Sequence, residues 1–268
     1  MHLKHLLIDR AARFIRSRLA SGRFRSRTPI LRVGVTGTAL PVLMCLWNRP
    51  TRLIPMLEML DAQTTDAAVE VYLWNNNKAD HAEYLSQLES YEPGGRIRSV
   101  SIVKTPFNLG SIARFYWARQ LVARGVTGPV VVVDDDEDIP ADFLEVCLRE
   151  YRPRTAAAFW AWMVGESYWH RTFAEPGEAV NHVGPGGMVC DIEIFGDESF
   201  FRDLPLEYWF LDDLWFTHFA REHGYELRRL PVHLEFVLDE TNSYRSFIDK
   251  KVEFLQYLRA LEAADEPR

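Results

Sequence analysis

Cysteine is scarce in this chain: Cys45, Cys147 and Cys190 are the only three in 268 residues. They are far apart and match neither a metal-ligand nor a disulfide spacing, which argues against a zinc module or a disulfide-stapled scaffold. Such isolated thiols suit a reducing compartment, where they serve as small core residues. No stretch approaches 18 apolar residues, so a membrane-spanning helix is not expected, and the amino-terminal segment lacks the apolar centre of a secretory signal. Low-complexity tracts and internal repeats are absent too, which sets aside fibrous and solenoid architectures. What remains is a globular composition, 47% hydrophobic and 26% charged, long enough for one large domain or two small ones.

The net charge of −7 conceals a split. Residues 1–32 carry nine Lys or Arg against Asp9 alone, a net +8 that leaves −15 on the rest. Leu3, Leu7, Ala11, Phe14 and Ile15 recur there at helical spacing, with Arg10, Arg13, Arg16 and Arg18 between them. A basic amphipathic helix of this kind fits an anionic membrane surface or a docking partner, and 1–32 is read as a separate N-terminal arm. The expected location is cytoplasmic, peripheral on the inner membrane face. No nucleic-acid partner is expected.

From residue 33 onward, apolar runs of strand length alternate with helical periods. "LPVLMCLW" (40–47), "VEVYLW" (69–74) and "IRSVSIV" (97–103) read as strands, with helices over 51–61 and 81–90 between them. Asn108 is placed as the cap of a third helix reaching about 123, with Gly125 at its C′ position. Buried strands alternating with helices predict the α/β class, a mostly parallel sheet covered on both faces. Ligands of such sheets bind at the carboxyl ends of the strands, where Asn48, Asn75, Asn76 and Asp134 to Asp136 gather. The second half reads as a strand over 156–164, a glycine loop at 184–187, a helix over 211–223, an extended segment over 225–238 and a helix over 245–263.

One junction demands a chemical reason. "VVVVDDDEDIP" (130–140) drives a buried strand into five consecutive acids. At about 4 Å and an effective dielectric near 20, neighbouring carboxylates repel by roughly 4 kcal/mol. The nearest Lys or Arg in sequence are Arg124 and Arg149, so no local ion pair offsets this. A solvated turn before a helix is the plain reading. A divalent cation explains the block better, because Mg²⁺ or Mn²⁺ is held by one or two carboxylates plus substrate phosphates.

Seven short motifs stand in an order and spacing that carry a resemblance: "WNRP" (47–50), "WNNNK" (74–78), "NLGSIAR" (108–114), "DDD" (134–136), "GPGG" (184–187), "LDD" (211–213) and His233. Over residues 40–250 the chain resembles nucleotide-sugar glycosyltransferases of the GT-A fold. Its closest general likeness is to the large family 2 group. "WNN", "DDD", "DDL" and "DETNSY" (239–244) are also similar to exostosin-like (family 64) transferases. The resemblance implies transfer from a nucleotide-diphosphate sugar, a UDP-sugar first, to a hydroxyl of a glycan, glycolipid or other acceptor, with Mn²⁺ or Mg²⁺ as cofactor. Residues 33–240 would form the GT-A domain, with a nucleotide-binding half over 33–140 and an acceptor half over 141–240, and 241–268 would supply a lid and helix.

The same resemblance assigns roles. Asp136, Asp134 and His233 would bind the metal. Asn48, Arg49, Asn75, Asn76, Asn108, Gly110, Arg114, Asp134, Asp135, Gly186, Gly187 and Arg245 would meet the donor. Asp213 would be the catalytic carboxylate and Asp212 its acceptor-binding partner, while Trp162, Trp169 and Trp209 would face the acceptor. Trp160 and Tyr168 also precede the glycine loop, where sugar rings stack on aromatic faces. Family 2 usually ends its second strand in Asp, where this chain has Asn75 and Asn76. The family 2 and exostosin-like patterns differ in stereochemistry, which stays open. A nucleotidyltransferase would want a glycine-rich, basic loop after the first strand, and "LWNRPTR" (46–52) holds no glycine. A non-catalytic binding module would not need both acid motifs.

Overall fold

The structure, a computed structural model, describes residues 13–22, 24, 30–237 and 247–265. Residues 13–20 are helical (α1) and β1 is Leu31–Arg32. The first half then runs β2 (Ala39–Leu46), α2 (Leu53–Asp61), β3 (Ala68–Asn75), α3 (His81–Ser90), β4 (Ile97–Lys104), α4 (Phe115–Ala123) and β5 (Pro129–Val133). Strands β4, β3, β2 and β5 pair in parallel in that order, so each must be joined to the next by a crossover, and the helices are those crossovers.

The unbroken valine run follows from burial on both faces. Val130 and Val132 enter the core formed with α4, whereas Val131 and Val133 enter the core formed with α2 and α3. All four are 0% exposed, and each such burial is worth about 1.5–3 kcal/mol. A strand with one wet face would have alternated. The chain is therefore a mixed α/β protein whose central, mostly parallel sheet is flanked by helices.

The second half completes the sheet less regularly. It contains β6 (Glu137–Asp138), α5 (Phe143–Glu150), β7 (Thr155–Ala158), β8 (Ala161–Val164), β9 (Arg171–Phe173), β10 (His182–Val183) and β11 (Met188–Asp191). After these come α6 (Ser199–Arg202), α7 (Asp212–Glu222), β12 (Glu226–Arg229), β13 (Glu235–Phe236) and α8 (Ile248–Asp265). β11 lies antiparallel between β5 and β7, with β12 outside β7 and β1 at the opposite edge, giving eight strands. The expected single strand over 156–164 is instead two. The backbone breaks at Phe159 and Trp160, whose polar groups bond the glycine loop (Phe159 N to Gly187 O, 2.9 Å; Gly184 N to Trp160 O, 2.7 Å). β8 then joins a separate small sheet with β10 and β9. The extended segment over 225–238 breaks likewise, and β13 pairs with β6 across the acidic turn.

Two boundary expectations also shift. Gly110, not Asn108, stands at the N-cap of the 3₁₀ turn Ser111–Arg114 that leads into α4, and Asn108 Oδ1 accepts from Gly110 N at 2.7 Å. Gly125 adopts a φ of 88° after α4, the left-handed C′ geometry expected of it. In the arm, α1 is docked: Arg16, Leu19 and Ala20 are buried, and Arg16 lies 5.0 Å over the Trp209 ring. That face belongs to the domain, which corrects the picture of 1–32 as wholly separate. Phe14 is 64% exposed, and Leu3, Leu7 and Ala11 lie outside the described residues. No helix among the described residues is long and apolar enough to cross a membrane.

Candidate active site

The carboxyl ends of β2, β3 and β5 open onto a cleft of about 830 Å³. Here the five acids acquire partners from afar. Arg114, 2% exposed, pairs with Asp134 and, at 3.0 Å, with Asp212. Arg49 is 2.8 Å from Asp135 and 3.3 Å from Asp136, and Arg52 is 2.5 Å from Asp138. Arg49 and Arg52 stand 86 positions upstream of Asp135 and Asp138, brought beside them because β2 and β5 are neighbours. The block is therefore not uncompensated, as local sequence suggested.

The compensation is incomplete where it matters. Asp135 is consumed by Arg49 and by Trp47 N, which donates to its Oδ2 at 3.0 Å. Glu137 is 1% exposed and accepts from the Trp160 indole at 2.5 Å. Burial, then the charges of Asp134 and Asp135, push Asp136 up to about 7. Burial and Asp134 push Glu137 up to about 8. Asp134 and Asp136 line the cleft, facing a glycine loop that cannot hold a side chain. A Cβ at Gly186 would lie 2.5 Å from Glu137 Oε1 and 2.6 Å from Asp134 Oδ2. Two carboxylate oxygen donors lining the cleft, with a backbone cradle opposite, fit Mg²⁺ or Mn²⁺.

The first turn of α7 brings the second acid pair. Asp212 is 5% exposed and fully engaged: Ser111 Oγ donates to its Oδ1 at 2.5 Å and Arg114 to its Oδ2. Neither acid caps α7, whose N-cap is Leu211 with no side-chain bond. Asp213 faces the cleft and receives Lys251 of α8 at 2.5 Å and the Tyr168 hydroxyl at 3.4 Å. Burial acts to raise Asp213, but Lys251 and then His182 outweigh it and hold the carboxyl at about 2. His182 Nε2 lies 4.0 Å from Asp213 and has no hydrogen-bond partner among the described residues. Burial lowers that imidazole to about 4, against the pull of Asp213, so it is neutral at pH 7.

Arg49, Asn76, Asn108, Gly110, Arg114, Asp134, Asp135, Asp136, Gly186, Trp162, Asp212 and Asp213 all line the cleft, as do Trp160 and Tyr168. Asn76 fixes the loop beside it, accepting from Leu109 N at 3.1 Å and donating to Gly110 O at 3.0 Å. Several expected residues do not reach it. Asn48, at a φ of 57°, bonds Asn77, and Asn75 is 0% exposed and accepts from Asn77 N, so both build the strand-end turns. Gly187 packs on Leu234, where a Cβ would lie 2.0 Å from Cδ1. His233 is exposed on a second cavity beside Asp138 and Asp142, which corrects its expected place as metal ligand. Its neighbour Leu234 takes the inward position. Trp169 is 48% exposed against the edge of Tyr168, and Trp209 is covered by Arg16. Arg245 lies outside the described residues.

Lys251, His182, Arg171, Ser111 and Glu137 were not singled out from sequence. His182 had one signal, its place two residues before the glycine loop in "NHVGPGG" (181–187). Lys251 had none, since a lysine on a helix is ordinary.

No protein-family model and no curated protein sequence matches the chain. Solved structures do. Residues 1–349 of Staphylococcus aureus TarS in complex with UDP align at a TM-score of 0.55 and 13% identity, covering 86% of this chain and 67% of that one. The same TarS segment in complex with UDP-GlcNAc aligns at 0.51 and 13%, covering 78% and 61%. The mannosyltransferase PcManGT from Pyrobaculum calidifontis, in complex with GDP-Man and Mn²⁺, aligns at 0.53 and 12%, covering 93% and 70%. The chain thus spans roughly two thirds of these neighbours and shares their GT-A-like glycosyltransferase fold.

Proposed function

We propose that this chain is a metal-dependent glycosyltransferase that moves a sugar from a nucleotide-diphosphate sugar, UDP-linked in the first instance, to a hydroxyl of a glycan or lipid-linked acceptor. The observation that carries this reading is the meeting of two acid sets across one cleft. Asp134 and Asp136 stand against the Gly186 loop, and Asp213 enters from α7. The cleft volume is that of a site for a small ligand. Neighbours of the same fold, solved with UDP, UDP-GlcNAc, or GDP-Man and Mn²⁺, support the assignment.

Trp47, Asn76 and Asn108, at the ends of β2 and β3 and in the loop after β4, would receive the nucleoside. Asp134 and Asp136 would hold Mg²⁺ or Mn²⁺, which when bound neutralises the charge of the leaving diphosphate. Gly184 and Gly186 admit the sugar close to backbone. Asp213 is ionised at neutral pH. In an inverting transfer it takes the proton of the acceptor hydroxyl, and in a retaining one it stabilises positive charge at the anomeric carbon. Held by Lys251 it is a weak base, so proton uptake requires that bond to loosen as the acceptor enters. Ser111 and Arg114 fix Asp212 beneath it.

A melting-temperature panel of nucleoside diphosphates and nucleotide-sugars, with and without Mn²⁺, tests the reading. A ligand at about 100 times its Kd stabilises by about 2.7 kcal/mol. Stabilisation that needs both UDP and Mn²⁺ is expected, and no stabilisation by any nucleotide would end the proposal. NMR of the product anomer decides the stereochemistry.

A further inference from the structure

One buried polar group beside Asp213 has no role yet in the transfer. His182, on β10, is 2% exposed, and its Nε2 meets no hydrogen-bond partner among the described residues. Such a group is costly, so native chains keep few of them and each calls for a reason. Its place is fixed. The ring lies 5.6 Å from that of Trp162 and 5.7 Å from that of Tyr168. Val183 N donates to Thr217 Oγ1 and the hydroxyl donates back to Val183 O, both at 3.1 Å. Thr217 follows Asp213 by one turn on the same face of α7, so β10 presents His182 to Asp213.

The gap is 4.0 Å, from Nε2 to Asp213 Oδ2, the oxygen that already receives Lys251 at 2.5 Å and Tyr168 at 3.4 Å. The charged groups facing the imidazole are Asp213 from α7, Lys251 from α8 and Arg171 from β9. In a neutral ring one nitrogen carries the hydrogen. The carboxylate opposite Nε2 favours placing it there, since a bare lone pair would be repelled. An N–H and a carboxylate oxygen at 4.0 Å are about 1 Å short of a hydrogen bond. Asp213 therefore has a charged anchor that it holds and a neutral anchor within reach of a small side-chain rotation. Resting on the glycosyltransferase reading, we propose that His182 is the positioning residue of Asp213 during transfer, the partner that the carboxylate takes when the acceptor hydroxyl displaces Lys251. The ammonium keeps Tyr168 Oη, 3.1 Å from its Nζ, and Oδ2 closes on His182 Nε2–H. A cation lowers the proton affinity of a carboxylate more than a neutral N–H does. The exchange thus keeps the orientation while freeing the carboxylate's charge, for the acceptor proton or for the anomeric carbon.

Lys251→Met imitates the displaced ammonium and needs no substrate. Imidazole ¹⁵N NMR of the parent at pH 7 should show the hydrogen on Nε2, the signal being assigned by its loss in His182→Phe. In Lys251→Met that proton should shift downfield and exchange with water about tenfold more slowly. Urea unfolding should show a larger loss from His182→Phe in the Lys251→Met background than in the parent. His182→Gln, whose amide donates from a similar position, should recover part of it. With the nucleotide-sugar selected by the melting panel, Mn²⁺ and water as acceptor, His182→Phe should lower kcat about tenfold at unchanged KM. A hydrogen on Nδ1 in the parent overturns the proposal, as do an unmoved Nε2 proton in Lys251→Met, additive losses in the unfolding series, or an unchanged kcat. The parent spectrum stands as a test even where Lys251→Met does not fold. If no nucleotide stabilises the parent, the glycosyltransferase reading fails, and the spectra and unfolding series still decide whether Asp213 has a second anchor.

Discussion

Lys251→Met removes the ammonium 2.5 Å from Asp213 and keeps a side chain of similar length. The two partners are only 13% and 14% exposed, so the abandoned carboxylate finds little water to replace the lost charge. Breaking one side of a buried pair costs about 3–5 kcal/mol. At roughly 2–4 °C per kcal/mol for a domain of this size, the melting temperature should fall by about 6–20 °C. Overpacking or a lost apolar contact would produce a fall too, so the magnitude alone does not identify the cause.

The pH dependence does. In the parent protein Lys251 and His182 overcome burial and hold Asp213 at about 2, below the ordinary 3.8. On acidification the unfolded chain takes up this proton first. The stability of the pair is therefore fully present above about pH 4 and is lost as the pH falls toward 2, about 2 kcal/mol in all. In the variant the stronger of the two lowering charges is gone, and burial, the largest influence on this carboxyl, outweighs what His182 still supplies and raises it. There the folded state takes up the proton first, and acid relieves the defect. The difference between parent and variant should thus be largest at pH 7 and shrink by roughly 2 kcal/mol at pH 3. Urea unfolding followed by tryptophan fluorescence at pH 7, 5 and 3 measures it. A difference below about 1 kcal/mol at pH 7, or one unchanged at pH 3, refutes the assignment of the pair.

Four further outcomes are expected. Asp136→Asn should abolish Mn²⁺-dependent UDP binding, and calorimetry showing the same metal-dependent affinity as the parent would exclude Asp136 as a ligand. Gly186→Ala places a methyl 2.5 Å from the buried Glu137 Oε1 and 2.6 Å from Asp134 Oδ2, so it should lower the melting temperature of the free protein and weaken the same binding; unaltered affinity counts against the loop as a donor cradle. Asp213→Asn should lower turnover by about 10² to 10⁴ with UDP binding retained, whereas Asp212→Asn, which strips a partner from buried Arg114, should chiefly lower stability. Full-length protein should sediment with anionic vesicles and be released by salt, and removal of residues 1–12, which carry Leu3, Leu7 and Ala11, should reduce this without disturbing the docked helix; equal sedimentation excludes that stripe as the contact.

The sheet was legible because burial on two faces writes a distinctive pattern. Val130 to Val133 and the run over 40–47 show no polar alternation, and each carries alternate side chains into opposite cores. The strand ends were legible for the same reason, since a polar residue directly after such a run must lie at an edge. What an edge residue does there was not. Asn75 and Asn76 are neighbours of one type, yet one closes a turn and the other lines the cleft, because asparagine serves both geometries and strand pleat alone decides between them. The break at Phe159 and Trp160 was hidden by composition: β7, the break and β8 are all apolar, and only the glycine loop, reached after a long excursion, offers the hydrogen bonds that turn the chain.

The electrostatics of the site were the least legible part, and the reason is geometric. Every charge that shapes the acids comes from another element: Arg49 and Arg52 from the end of β2, Arg114 from the turn before α4, Lys251 from α8. A sequence shows charges in one dimension, where 134–138 looks isolated, but parallel pairing of β2 with β5 places one turn bearing two arginines against it. Arg114 carries the consequence furthest. It bonds Asp134 at the end of β5 and Asp212 next to Asp213, so one buried guanidinium sets the spacing between the two acid motifs. The pattern "NLGSIAR" is thus a structural tie between "DDD" and "LDD", and the three motifs belong to a single ionic network rather than to three separate contacts with a ligand.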